Sequence, residues 1–239
     1  MGIFYRFPIN SQESIQQCFD IGSTGSEMDL QLTKDSVLVL FHDTKLEDGS
    51  TGNGIINDKN WDEIKDSYHK TPLSRKVKVV SLANLLNNIN KSDYKLVFDC
   101  KLYLGTGKNY DRFLHTYANA LKNIIDLHQL NERVFIESSD TNFLRVLKTK
   151  DSQLKLFYYP QTFEIGLETA NRMELFGITI PNEKINKEQV AIAHKHGKTI
   201  AVWNVSSENK NIEAISKNVD FIQSDRLKHL LKIFDLYQK

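Results

Sequence analysis

From residue 95 to the C-terminus the chain keeps one rhythm: short β-rich runs alternate with longer segments whose apolar residues recur at helical spacing. Parallel strands joined by crossover helices need that alternation. It predicts strands over residues 95–99, 133–137, 155–159, 177–180, 199–203 and 221–223, and helices over 113–128, 140–149, 164–175, 187–196 and 209–216. Adding a strand through Glu27 and a first strand over residues 3–7 makes about eight, the number that closes an α/β barrel. The 239 residues suit one such barrel, for which about 250 is typical. No low-complexity tract interrupts them, so residues 1–239 read as a single barrel domain. A doubly wound open sheet is the alternative, but the glycine-rich first turn of a nucleotide fold is absent.

Ahead of this repeat, Asn10 or Ser11 can cap a helix over residues 12–21 that Gly22 ends. Then comes EMDLQLTKDSVLVLFHD, residues 27–43. It reads as a strand, a tight turn at Lys34-Asp35-Ser36, and a second strand that delivers His42-Asp43. Side chains alternate along a strand, so Glu27 and Asp29 face one side, where two hard oxygen ligands can share a cation. The plainer reading, the solvated face of an antiparallel sheet, suits a short strand crowded by Met28, Leu30, Leu32, Val37 and Val39 less well. Short helices are expected over residues 61–67 and 82–90.

In a barrel the chemistry sits at the C-terminal ends of the strands. Several predicted strands end in polar groups there: Asp99 then Lys101, Glu137 then Ser138, Trp203-Asn204, and Ser224-Asp225. Composition narrows the ligand. With 31 Lys and Arg against 30 Asp and Glu, the net charge of +1 leaves no electrostatic footprint for nucleic acid or an anionic membrane. Cys18 and Cys100 fit no metal or redox spacing and read as buried thiols. No apolar run approaches the roughly 20 residues of a membrane span, and no signal peptide opens the chain. As written it reads as cytoplasmic, a secreted mature form having the same look.

Taken in order, these residues resemble the glycerophosphodiester phosphodiesterase family. Pro8-Ile9-Asn10-Ser11 is similar to the family's Pro-Glu-Asn-Thr/Ser, and Gly22 precedes Glu27-Met28-Asp29 as the family's glycine precedes its E-x-D. Thr33-Lys34-Asp35, the run 37–41 and His42-Asp43 follow in the family's order. Farther on, Val97 to Lys101 resembles its (I/V)-E-x-K segment, Trp203-Asn204-Val205 its W-x-V strand, and residues 219–225 its closing G-x-D-x-I-x-T-D.

The resemblance implies an α/β fold, a TIM (β/α)8 barrel of the phospholipase-C-like (PLC-like) phosphodiesterase type. Its implied activity is metal-dependent hydrolysis of glycerophosphodiesters, small-molecule substrates, to sn-glycerol 3-phosphate and an alcohol. Glu27, Asp29 and Asp99 would hold a divalent metal cation, Mg²⁺ or Ca²⁺, although Asp99 is one methylene shorter than the family's glutamate. His42 would move a proton, as an imidazole can near neutral pH, with Asp43 fixing its loop. Lys101 would face the phosphate from the same side of the strand as Asp99, and Trp203 would offer a flat apolar wall.

One departure stands out. The family's first histidine, in His-Arg-Gly at the end of its first strand, has no counterpart before His42. Tyr5-Arg6-Phe7 occupies a similar place, so Arg6 can still bind phosphate, whereas a tyrosine is a poor proton carrier at pH 7. Either Tyr5 replaces the histidine or the chain begins after it, which makes the first strand degenerate or missing. The alternative function is a non-catalytic phosphodiester-binding barrel; a sugar-phosphate isomerase or lyase is more distant. The remaining histidines, His69, His115, His128, His194, His196 and His229, read as surface or structural.

Overall fold

The computed structural model describes residues 7–71, 76–89 and 94–235. The expected strand over residues 3–7, and with it Tyr5 and Arg6, lies outside them apart from Phe7. The described strands are β1 (Gly25–Leu32), β2 (Leu38–Leu40), β3 (Lys95–Cys100), β4 (Val134–Ser138), β5 (Lys155–Tyr158), β6 (Gly177–Pro181), β7 (Thr199–Val205) and β8 (Phe221–Ser224). They form one sheet in the order β2-β1-β3-β4-β5-β6-β7-β8. β2 is antiparallel to β1, and every other pairing is parallel.

The helices are α1 (Gln12–Asp20), α2 (Leu46–Gly49), α3 (Leu82–Asn88), α4 (Tyr110–Leu127), α5 (Thr141–Lys150), α6 (Phe163–Arg172), α7 (Lys187–Lys195), α8 (Glu208–Ser216) and α9 (Leu227–Ile233). Side-chain caps set most starts. Ser11 accepts from the Ser14 amide, Asn109 from Arg112, Asp140 from Asn142 and Phe143, and Asn186 from Gln189. The Asn109 cap starts α4 three residues before the 113 that periodicity suggested. α6 stops at Arg172 rather than 175 because Glu174 turns to φ 50, a left-handed stop without the glycine that usually announces one. The helix expected over 61–67 is a single 3-10 turn, Trp61–Glu63, closed by an Asn60/Glu63 capping box.

Strand alternation separates two cores. Outward residues such as Met28, Leu30, Leu96, Phe98, Ile136, Leu156, Ile178 and Val202 pack beneath the helices in one large cluster. Inward residues Val97, Phe135, Phe157, Ala201 and Phe221 form a separate cluster inside the curled sheet. The curl brings β4 opposite β8: the Phe135 and Phe221 ring centroids are 5.0 Å apart. Gly177 makes room for this packing, since a Cβ there would overlap the Thr199 carbonyl and lie 2.6 Å from the Phe157 ring. Cys18 and Cys100 are buried thiols not joined in a disulfide, as expected. No helix among the described residues is long and apolar enough to cross a membrane.

Candidate active site

Two residues above that apolar cluster, the same strands turn polar side chains inward. Glu27, Asp29, His42, Asp99, Lys101, Glu137, Tyr159, Thr179, Trp203 and Gln223 line a cavity of about 200 Å³. Register explains the convergence: Asp29 pairs with Asp99 across β1 and β3, and Asp99 with Glu137 across β3 and β4. Partners in register on neighbouring parallel strands share a face.

Glu27, Asp29 and Asp99 each offer an oxygen within 4.8 Å of the others, a set of hard donors suited to a divalent cation. Asp99 thus keeps its place in the group despite its shorter side chain. Lys101 lies between two of them, its Nζ 3.0 Å from Asp29 Oδ1 and 2.7 Å from Asp99 Oδ2. Burial alone would lower the Lys101 ammonium, but Asp99 and Asp29 together outweigh it and hold the pKa above its usual value. Burial pushes Glu27 up to about 7, with Asp29 and Asp99 adding to the rise. It raises Asp99 by more than Lys101 lowers it, and takes Glu137 up to about 8, again with Asp99 adding. Carboxyls raised by burial and by one another describe a site with too little positive charge of its own, which a divalent ion would supply.

Asn10 fixes Asp29 from both sides. Its Nδ2 donates to Asp29 Oδ2 at 2.7 Å and its Oδ1 accepts from the Asp29 amide at 2.9 Å. To reach both, Asn10 takes φ 60, a conformation asparagine tolerates better than most residues. His42 follows β2 on a loop that Gln31 anchors: Gln31 Nε2 donates to the carbonyls of Phe41 and Asp43, both at 2.8 Å. Asp43 Oδ1 lies 2.9 Å from His42 Nδ1, so this nitrogen is engaged and Nε2 is the one left for chemistry. Trp203 meets Tyr159 edge to face, centroids 5.4 Å apart at 84°.

Sequence reasoning thus placed Glu27, Asp29, His42, Asp99, Lys101 and Trp203 together, and the structure brings all six to one cavity. Arg6 lies outside the described residues. Of the other polar strand ends, Ser138 supports the Asp140 amide, Asn204 binds Glu183, and Ser224 binds Asn211, so none faces the cavity. Asn10 as a clamp, Gln31, Glu137, Tyr159, Thr179 and Gln223 went unassigned. The signal was present for two of them: Glu27-x-Asp29-x-Gln31 continues one alternation, and Glu137 ends its strand as Asp99 does. Among the remaining histidines, His194 pairs with Asp220 at 2.9 Å. His69 is buried beside Phe41, and burial pushes it down to about 4.

Comparison with known proteins agrees with this geometry. The model of the glycerophosphoryl diester phosphodiesterase family matches residues 2–229. A glycerophosphodiester phosphodiesterase of Caldanaerobacter subterraneus is 25% identical over 237 residues, covering 95% of this chain and 92% of that protein. One from Bacillus altitudinis is 23% identical, covering 95% and 93%. An Oleispira antarctica phosphodiesterase, solved in complex with the product sn-glycerol-3-phosphate, superposes with a TM-score of 0.84 at 17% identity, covering 95% of this chain and 91% of that one. A Parabacteroides distasonis glycerophosphodiester phosphodiesterase gives 0.79 at 23%, covering 95% and 90%. The fold is therefore the expected α/β TIM barrel.

Proposed function

Because this chain belongs to the glycerophosphoryl diester phosphodiesterase family, we propose that it hydrolyses glycerophosphodiesters to sn-glycerol 3-phosphate and an alcohol, as one barrel domain serving phosphodiester or lipid metabolism. The observation that carries this reading is the convergence of Glu27, Asp29 and Asp99 in the cavity that also holds His42 and Lys101. Those three carboxylates would hold the divalent cation, Mg²⁺ or Ca²⁺, which when bound supplies Lewis-acid stabilisation of phosphoryl oxygens.

In the hydrolysis, a water oxygen bonds to phosphorus and the phosphorus–oxygen bond to the alcohol breaks. One proton leaves the water and one reaches the alcohol oxygen. His42 Nε2 handles one of these transfers, the ring being oriented by Asp43. The Lys101 ammonium, held between Asp29 and Asp99, sets a fixed positive charge beside the phosphoryl oxygens as charge builds on them. Arg6 is proposed as a further phosphate-binding cation. Trp203 forms an apolar wall for the organic part of the substrate.

The deciding experiment is enzymatic release of glycerol 3-phosphate after chelation and re-addition of Mg²⁺ or Ca²⁺, in the wild type and in Glu27→Ala. Loss of the metal-dependent release in the variant supports the assignment, and undiminished release refutes it. Metal-dependent ligand binding without turnover in the wild type would instead leave a phosphodiester-binding barrel.

A further inference from the structure

β3 leaves the sheet at Lys101. The last bond of its ladder with β1 runs from the Lys101 amide to the Leu30 carbonyl, at 2.9 Å. Beyond it, residues 102–109 lead away to α4, which Asn109 caps, while β1 continues beside β2 as far as Leu32. Lys101 therefore sits where two strands diverge, with its Nζ reaching back between Asp29 and Asp99. What holds the departing loop decides where that ammonium rests.

The loop is held by the 3-10 turn Ile56–Asp58, which belongs to the excursion between β2 and α3. Asn57, 4% exposed, joins three segments at once. Its Nδ2 donates to the Leu32 carbonyl at 2.9 Å, and its Oδ1 accepts from the Gly105 amide at 3.1 Å and from Lys108 Nζ at 3.0 Å. Lys108 Nζ also donates to the Asn57 carbonyl and lies 3.5 Å from Asp58 Oδ1. The other Asp58 oxygen accepts from the Thr106 amide at 3.3 Å. Gly105 permits the approach, since a Cβ there would overlap the Asp58 carboxylate. On the far side of the turn, Ile56 is fully buried in one small core with Phe41, the residue before His42. That core thus backs His42 directly, and it reaches Lys101 through these bonds.

We propose that Asn57, Asp58 and Lys108 form a latch that positions Lys101 for phosphoryl transfer, although none of the three lines the cavity. The inference rests on the proposed hydrolysis for the work Lys101 does. It goes beyond that reaction by assigning the placement of the ammonium to residues outside the site. Lys101 meets charge that builds on the phosphoryl oxygens, so displacing it costs turnover more than substrate binding.

Lys108→Met and Gly105→Ala loosen the latch from opposite ends. Each is expected to lower kcat about tenfold with KM within about twofold. In a Lys101→Met background the same changes should alter kcat by less than about twofold, because nothing is left to position. A second measurement is acetylation of the cation-free protein by an N-hydroxysuccinimide ester, followed peptide by peptide with mass spectrometry. Lys101 should be modified about tenfold faster in both variants than in the wild type, with Lys155, paired to Glu132, unchanged. Unchanged kcat, equal losses in both backgrounds, or a Lys101 labelling rate that does not move would each overturn the latch. Where Lys101→Met leaves no turnover to compare, the labelling decides. Because labelling needs no turnover, the two readings separate. Faster Lys101 labelling in the variants, where the wild type releases no glycerol 3-phosphate with either cation, overturns the hydrolysis and keeps the latch; wild-type turnover with unmoved labelling does the reverse.

Discussion

The lower and upper levels of the barrel interior are made by the same strands, two residues apart, and differ in nearly every chemical respect. Val97 lies below Asp99, Phe135 below Glu137, Phe157 below Tyr159, Gly177 below Thr179, Ala201 below Trp203 and Phe221 below Gln223. The lower members are apolar and interlock, Phe135 touching Phe157, Phe176 and Phe221. The upper members are charged, polar or aromatic and surround a cavity. One backbone period thus positions both levels. Side-chain chemistry alone divides them into a level that supports the barrel and a level that acts on a ligand.

Substitution at each level should separate the two roles. Phe157→Ala removes a fully buried ring from the lower level and should cost about 3–5 kcal/mol in denaturant unfolding, with kcat changed only a few-fold where the protein is folded. Gly177→Ala, which adds one methyl against the Thr199 carbonyl and the Phe157 ring, should cost about 1–3 kcal/mol in the same assay. A large loss of stability from an upper-level change such as Glu27→Gln would break the comparison, since removing one of several mutually repelling, partly buried carboxylates should leave the cation-free melting temperature unchanged or higher.

The pH dependence sharpens the division further. Glu27 and Glu137 titrate near 7 and 8 in the folded protein against an ordinary 4.5. Between those limits the folded state binds more protons than the unfolded one, so cation-free stability should fall as pH rises from about 5 to about 8. The cation competes with those protons, so its affinity should rise by about tenfold per pH unit for each proton displaced. Melting curves with and without Mg²⁺ or Ca²⁺ across that range measure both slopes, and a flat cation-free profile would count against the burial of these carboxyls. The smallest expected effect is Gln31→Leu, which frees the loop carrying His42. It should lower kcat by about tenfold or less and leave cation affinity intact.

Much of this was legible in the sequence because the barrel repeats one local unit. Each strand from β3 to β8 lies within two residues of its predicted span, and the cation-site residues sit in short motifs on β1 and at the end of β3. What escaped depended on contacts between distant segments or on unusual backbone. Glu137 and Gln223 meet only because the sheet curls, 86 residues apart in sequence. Glu174 stops α6 with a left-handed φ that a glutamate gives no warning of. Asn10 and Ser11 both read as caps of α1, but Ser11 takes that role and Asn10 reaches over to Asp29, which its place in the sequence does not announce.

The span of the Glu137–Gln223 pair also bears on order in time. The acidic group is hardly more local: Asp29 and Asp99 meet only after the chain has passed through β2, α2 and α3 and laid β3 beside β1. Neither group can form from one segment of the chain. During refolding, metal capture should therefore follow the assembly of the sheet rather than seed it. Stopped-flow terbium luminescence set beside the recovery of far-ultraviolet circular dichroism would time the two events, and terbium capture ahead of the secondary structure would contradict this order.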